Sequence, residues 1–168
     1  MPSTRRAAAT RQQSALKSAP APSQVLVDSG PLVALFNRHD PWHATVLSWL
    51  QAHQQTRLVS TWAVLTEVCA LLSRRIHNAA ALTALRWVAA GGVSLDQPAI
   101  GSLAGVLQAA QRLSDLPLDL ADATLAEAAS RLKITAVLTV DSDFDVYRDT
   151  AGKALVNLLR APARRERR

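Results

Sequence analysis

Short apolar segments alternate along the chain with longer segments in which apolar residues recur at helical spacing. The short segments are bounded by Gly, Pro, Ser or Asp, which is typical of buried strands. Predicted strands occupy residues 25–27, 57–60, 93–95, 135–141 and 153–159, and predicted helices occupy residues 29–38, 40–55, 61–75, 78–92, 98–113 and 120–133. Strands that alternate with helices indicate an α/β fold with a mostly parallel sheet, although the pattern does not give the strand order.

The first two predicted helices each begin with a polar or small residue followed by proline. Ser29 or Gly30 is the expected N-cap of the first helix, with Pro31 near its first position, where a missing N–H costs nothing. Asp40 is the expected N-cap of the second helix, and Pro41 lies in its first turn.

Composition indicates a packed domain, because 49% of the 168 residues are hydrophobic. No apolar run approaches the roughly 20 residues that a membrane-spanning helix needs. The single cysteine, Cys69, cannot form an internal disulfide, and its apolar neighbours predict a core position.

The net charge of +6 is concentrated at the two ends of the chain. Residues 1–24 and residues 160–168 each carry +4, which leaves −2 for residues 25–159. Basic ends attract nucleic acid without sequence preference, or they simply keep a protein in solution, and both interpretations stay open. We expect a disordered basic leader over residues 1–23, one domain over residues 24–159, a basic C-terminal tail and a cytoplasmic location.

Four acids are distinguished by their positions. Asp28 and Asp141 end predicted strands, Asp122 is near the start of a predicted helix, and Glu67 lies inside an apolar helical segment. In a parallel sheet the carboxyl ends of the strands and the starts of the following helices share one edge, where α/β proteins place their sites. We therefore expect the four acids to face one crevice.

Four neighbouring carboxylates raise one another's pKa, and a divalent cation that prefers oxygen ligands, Mg²⁺ or Mn²⁺, relieves the repulsion. Acidic clusters of this kind suit phosphodiester hydrolysis, because a bound cation polarises the phosphoryl group and lowers the pKa of a bound water. Each acid also has a structural interpretation. Asp28 and Asp122 are suited to helix capping or to the helix dipole, and Asp141 to a solvated loop, whereas Glu67 among core positions is harder to explain.

Three segments resemble the motifs of the PIN-domain family, and within it the VapC-type toxin ribonucleases. The segment VLVDSGPLVALF is similar to the family's first strand with its acid and the following hydroxyl residue. STWAVLTEVCALL is similar to the helix that carries the family's Glu. The segment from Leu116 to Phe144 contains the family's ADA setting and a strand that ends in the pattern TxDxDF. The resemblance covers nearly all of residues 24–159.

The resemblance implies a three-layer α/β/α sandwich, Mg²⁺ or Mn²⁺ as the cofactor, RNA as the substrate, a homodimer, and an antitoxin that enters the acidic site. The metal-binding and catalytic acids that it implies are Asp28, Glu67, Asp122 and Asp141; its supporting residues are Ser29, Thr139 and Asp143, and Asp119 competes with Asp122. The implied function is that of a metal-dependent endoribonuclease, the toxin of a type II toxin–antitoxin pair. The alternative is a PIN-fold module that binds RNA or protein without cleavage.

Three of the four tryptophans, Trp42, Trp49 and Trp87, lie outside these motifs, and Trp62 lies within STWAVLTEVCALL. Tryptophan stacks on RNA bases, but on an apolar helix face it is more often part of the core or of a dimer interface, which is the interpretation we favour. Arg74 and Arg75, at the end of the predicted Glu67 helix, suit either phosphate contact or the helix dipole. The four histidines show no spacing typical of a metal site.

Overall fold

The structure is a computed structural model that describes residues 22–97, 100–112, 119–141 and 153–159. These residues form five strands and six helices in the order β1 (Gln24–Val27), α1 (Ser29–Phe36), α2 (His43–Ala52), β2 (Arg57–Thr61), α3 (Trp62–Arg75), α4 (Asn78–Ala89), β3 (Ser94–Asp96), α5 (Ser102–Arg112), α6 (Leu120–Leu132), β4 (Ala136–Leu138) and β5 (Val156–Asn157).

The five strands form one sheet in the order β3-β2-β1-β4-β5, and every pairing is parallel. The central strand β1 is fully enclosed, with Val25, Leu26 and Val27 at most 2% exposed. A parallel sheet is covered on both faces, which is why its strands are continuously apolar rather than alternating. The prediction of an α/β fold with a parallel sheet is therefore confirmed.

The connections place the helices in two layers. From β1 the chain steps to β2 and then to β3 in one direction, and it returns past β1 to β4 in the other. Because crossovers between parallel strands are right-handed, α1 to α4 cover one face and α5 and α6 cover the other. Helix α3 packs on α1 and α4, and α5 packs on α6. This is the three-layer sandwich that the resemblance implies.

The N-caps expected before the two prolines were wrong, although α1 begins at Ser29 as predicted. The N-cap of α1 is Asp28, not Ser29 or Gly30, because the Asp28 carboxylate already accepts the Ser29 N–H. Helix α2 begins at His43 instead of following Asp40 directly. The Asp40 side chain accepts the Trp42 N–H at 2.9 Å, so this acid caps a turn that precedes the helix.

Other boundaries differ by a few residues. Strand β3 begins one residue later than predicted, and β4 ends at Leu138, so Asp141 follows it in a loop. Helix α5 begins at Ser102. The predicted start at Pro98 lies outside the described residues.

The tryptophans divide into two groups. Trp42, Trp49 and Trp87 are partly buried and pack against the core, as does Cys69. Trp62, the first residue of α3, is 54% exposed. The interpretation as core is therefore confirmed for three of the four; Trp62 is not a core residue, and the dimer-interface alternative stays a prediction for it.

Within the ranges that the structure describes, no helix is both long and apolar enough to cross a membrane.

Candidate active site

Asp28 lies directly after the central strand and is only 4% exposed. One carboxylate oxygen, Oδ1, accepts the backbone N–H of Ser29 at 2.5 Å. The other, Oδ2, accepts the Thr139 hydroxyl at 2.8 Å. The Asp28 N–H donates to the carbonyl of Leu138 at 3.0 Å, which continues the pairing of β1 with β4. Asp28 therefore caps α1 with one oxygen and is held against the neighbouring strand by the other.

Thr139 connects this carboxylate to the loop after β4. Its hydroxyl is fully buried; it donates to Asp28 and accepts the backbone N–H of Asp141 at 3.0 Å. The carbonyl of Thr139 accepts the Asn157 side-chain amide at 3.1 Å, and the amide oxygen of Asn157 accepts the N–H of Leu159 at 3.0 Å. A chain of hydrogen bonds thus runs from β5 through Thr139 to Asp28. We did not predict Asn157, although it is the one polar residue in the apolar run ALVNLL.

A pair of threonines joins the start of α3, which carries Glu67, to the start of α6, which carries Asp122. The hydroxyl oxygens of Thr61 and Thr124 lie 2.9 Å apart. Thr124 donates to the carbonyl of Ala121, so the proton between the two hydroxyls comes from Thr61. Thr61 also accepts the N–H of Val64 as the N-cap of α3. This contact holds the beginning of α3 to the beginning of α6, and sequence reasoning missed both residues.

Asp119 and Asp122 have different roles at the start of α6. Asp119 is the N-cap, and its Oδ1 accepts the N–H groups of Ala121 at 2.7 Å and of Asp122 at 3.3 Å. Asp122 lies in the first turn and is half-buried. The capping role of Asp119 favours Asp122 as the acid that faces the other carboxylates.

The electrostatics place the acids within reach of one another. Burial, together with the smaller effects of the charges of Asp28, Asp119, Asp141 and Glu67, raises the pKa of Asp122 to about 7. Burial also raises the pKa of Asp28 to about 6, with smaller contributions from Glu67 and Asp141. The hydrogen bonds from Thr139 and the Ser29 N–H act in the opposite direction, because they stabilise the charged form.

The donor set fits a divalent cation in its chemistry. Every member is a carboxylate, and oxygen is the ligand that Mg²⁺ and Mn²⁺ prefer. The raised pKa values mean that the cluster holds its negative charge at a cost, which a cation would relieve. Among the described residues, no three His, Cys, Asp or Glu side chains converge on a single point. The ligand set therefore stays a prediction, and Asp143 lies outside the described residues.

Two further positions define the surroundings of the cluster. Gly30, in the first turn of α1, lies so close to Val140 that a Cβ would overlap the valine side chain. The start of α1 therefore approaches the residue before Asp141 without room for a side chain. Arg74 and Arg75 are in the last turn of α3, roughly 20 Å along the helix from its start. That position suits the helix dipole better than contact with a substrate at the acidic edge.

The raised pKa values predict an unusual dependence of stability on pH. The folded protein holds protons on Asp28 and Asp122 up to about pH 6 and 7, whereas the unfolded chain releases them near pH 4. Their contribution to the free energy of unfolding is therefore fully present below about pH 4 and is lost as the pH rises through 6 and 7. For Asp28 the loss is on the order of 2–3 kcal/mol.

We expect urea denaturation in EDTA to show this loss in the wild type and a smaller one in Asp28→Asn. Glu127→Gln is the control. Glu127 lies on α6, the same helix as Asp122, but it is ion-paired with Arg131. It should keep the wild-type pH dependence. Parallel pH profiles for Asp28→Asn and the wild type would contradict the electrostatic description of the cluster.

Comparison with known proteins agrees with this geometry. The family model described as the PIN domain matches residues 25–149, which include all four acids. No curated protein matches the chain.

Solved structures with the same fold include VapC20 from Mycobacterium tuberculosis, described as a toxin that cleaves the sarcin–ricin loop. It is 23% identical with a TM-score of 0.64, and the match covers 71% of this chain and 91% of that chain. Another is VapBC2 from Rickettsia felis, solved bound to a DNA fragment from its promoter. It is 13% identical with a TM-score of 0.57, and the match covers 72% of this chain and 90% of that chain. Because the family model spans most of the sequence, the chain belongs to the PIN-domain family.

Proposed function

We propose that the protein is a metal-dependent endoribonuclease that hydrolyses RNA phosphodiester bonds. The observation that carries the proposal is the buried carboxylate of Asp28, which lies within electrostatic range of Glu67, Asp122 and Asp141 at the carboxyl edge of the sheet. Structural hydrogen bonds account for both oxygens of Asp28, but they do not explain why three more acids lie within electrostatic range of it.

Asp28, Glu67, Asp122 and Asp141 would hold the cation, Mg²⁺ or Mn²⁺. When bound, the cation supplies charge neutralisation at the scissile phosphate and a lower pKa for the attacking water. Asp28 is fixed in orientation by the Thr139 hydroxyl and the Ser29 N–H, so it would not need to reorganise during the reaction. Water would add to phosphorus as the bond to the 3′ oxygen breaks, leaving a 5′-phosphate and a 3′-hydroxyl, the products that the family implies.

Thr139 acts through Asp28 rather than on the substrate. Its buried hydroxyl stabilises the ionised form of Asp28. Asp28 must be in this form to bind a cation. The carbonyl of Thr139 is in turn held by Asn157. We propose that these two residues position the catalytic carboxylate, together with the backbone of Ser29. Asp143 stays a proposed partner of Asp141.

We further propose that the protein is the toxin of a type II toxin–antitoxin pair. The support is the likeness in fold to VapC20, which is described as a toxin, and to VapBC2. The partners would be a cognate antitoxin that enters the acidic edge and a second copy of the chain. Residues 24–159 would form the catalytic domain of a cytoplasmic protein, and the basic ends would add attraction for RNA that is independent of sequence.

Purified protein should cleave single-stranded RNA in the presence of Mg²⁺ or Mn²⁺ and not in EDTA. Asp28→Asn and Asp141→Asn should each lower the cleavage rate by roughly 100-fold or more, the scale of losing one electrostatic contact to a transition state. The measurement is gel analysis of end-labelled RNA, with circular dichroism to show that each variant is folded.

Glu127→Gln is again the matched control, since it removes a carboxylate from the same helix as Asp122 and should leave the rate unchanged. Wild-type rates in both Asp variants would reject the catalytic assignment. Intact RNA under every metal condition, combined with measurable RNA binding, would favour the alternative of a PIN-fold binding module.

The toxin role is tested in cells. Induced expression of the wild type in a bacterial host should arrest growth, because RNA cleavage without an antitoxin is unopposed. Asp28→Asn at the same expression level should grow normally, and Glu127→Gln should arrest growth. Normal growth with active wild-type nuclease accumulating in the cells would argue against a toxin while leaving the nuclease assignment in place.

A further inference from the structure

Trp62 differs from the other tryptophans in its exposure. Trp42, Trp49 and Trp87 are partly buried against the core, and Trp87 also packs edge-on against Phe36. Trp62 leaves 54% of its surface in solvent. Exposure of a large apolar ring forfeits the favourable free energy of its burial, so packing within this chain does not account for the residue.

The position of Trp62 is fixed by the structure around it. Helix α3 follows β2 without a loop, so its first residue stands at the carboxyl edge of the sheet. The preceding residue, Thr61, is hydrogen-bonded to Thr124, which is two residues from Asp122 along α6. Helical side chains lean toward the helix N-terminus, so an exposed ring at the first position extends from this edge rather than over the helix.

The acidic edge creates a problem for substrate binding that an aromatic ring can solve. RNA is a polyanion, and carboxylates repel it except where a cation intervenes. The cationic side chains on α3, Arg74 and Arg75, lie at the opposite end of that helix. An uncharged contact would therefore add affinity for the nucleotides beside the scissile bond without being opposed by the acids. Base stacking on an exposed aromatic ring supplies one, and it tolerates any base because every base has a π-face.

We propose that Trp62 is a stacking residue for a base of the RNA substrate, adjacent to the carboxylates that act on the phosphodiester bond. This inference rests on the proposed ribonuclease function and names a residue that its substrate contacts. Trp62 contributes to binding and not to the chemical step, because the indole has no group that transfers a proton or holds a cation at the scissile phosphate.

The test separates binding from cleavage. Affinity for a short fluorescein-labelled single-stranded RNA of mixed sequence is measured by fluorescence anisotropy in EDTA, and affinity for an abasic RNA of the same length is measured alongside it. Trp62→Ala should weaken binding to the normal RNA by roughly 10-fold, within the range for loss of one stacked base. It should have little effect on the abasic RNA. Trp62→Phe, which keeps a π-face, should restore most of the affinity.

Leu85→Ala is the control, because Leu85 is an exposed apolar residue on α4, 40% exposed, and should not alter RNA binding. With Mg²⁺ or Mn²⁺, Trp62→Ala should raise KM by about the same factor and change kcat by less than roughly 2-fold. Equal affinities of Trp62→Ala and the wild type for the normal RNA would overturn the inference, and so would an equal loss on the abasic RNA.

The two proposals fail in different ways. If the wild type cleaves RNA and Trp62→Ala leaves KM and the affinity unchanged, stacking is wrong and the nuclease stands. If no RNA is cleaved but Trp62→Ala still loses base-dependent affinity, stacking stands and the nuclease assignment is wrong. If the wild type binds neither RNA and cleaves none with Mg²⁺ or Mn²⁺, both are wrong.

Discussion

The buried charge of Asp28 constrains the architecture around it. A carboxylate that is 4% exposed carries a large desolvation cost, which here raises its pKa to about 6. Two hydrogen bonds reduce this cost, one from the first peptide of α1 and one from Thr139 after β4. The first requires that α1 begin at the next residue, and the second requires that β4 pair directly with β1. Strand order, helix start and the placement of the candidate site are therefore parts of one arrangement.

The neighbouring acids add to the free-energy cost of ionising Asp28 instead of reducing it. The charges of Glu67 and Asp141 raise the pKa of Asp28, and all the acids at this edge raise that of Asp122. A fold selected only for stability would place a positively charged or a neutral side chain beside Asp28. The protein instead fixes the two helix starts with the Thr61–Thr124 contact and fixes the Asp28 carboxylate with Thr139, so the repulsion persists in a rigid setting. Natural proteins depart from local consistency mainly at functional sites, and this edge has that character.

Local pattern predicted the fold class because alternation of apolar strands with helices depends on neighbouring residues. It placed Asp28, Asp141 and Asp122 at strand ends and a helix start for the same reason. What it missed depends on contacts between distant parts of the chain. The Thr61 and Thr124 hydroxyls meet across 63 residues. Thr139, whose hydroxyl reaches Asp28 across 111 residues, was expected only from the resemblance to the family's motif. The Thr61–Thr124 pair carries no sequence signal. For Asp28 the sequence left a capping role and a site role open, and local pattern could not show that the residue has the first while facing the other acids.

The central claim is that this edge binds a divalent cation through carboxylates that must first lose protons. Isothermal titration calorimetry with Mn²⁺ tests it directly, at about pH 6.5 in two buffers of different ionisation enthalpy. Binding should release protons, because the pKa values of Asp28 and Asp122 are about 6 and 7 in the cation-free protein. Asp28→Asn should weaken binding by at least about 10-fold. Three results would contradict the account: no Mn²⁺ binding by the wild type, binding without proton release, or equal affinities of Asp28→Asn and the wild type.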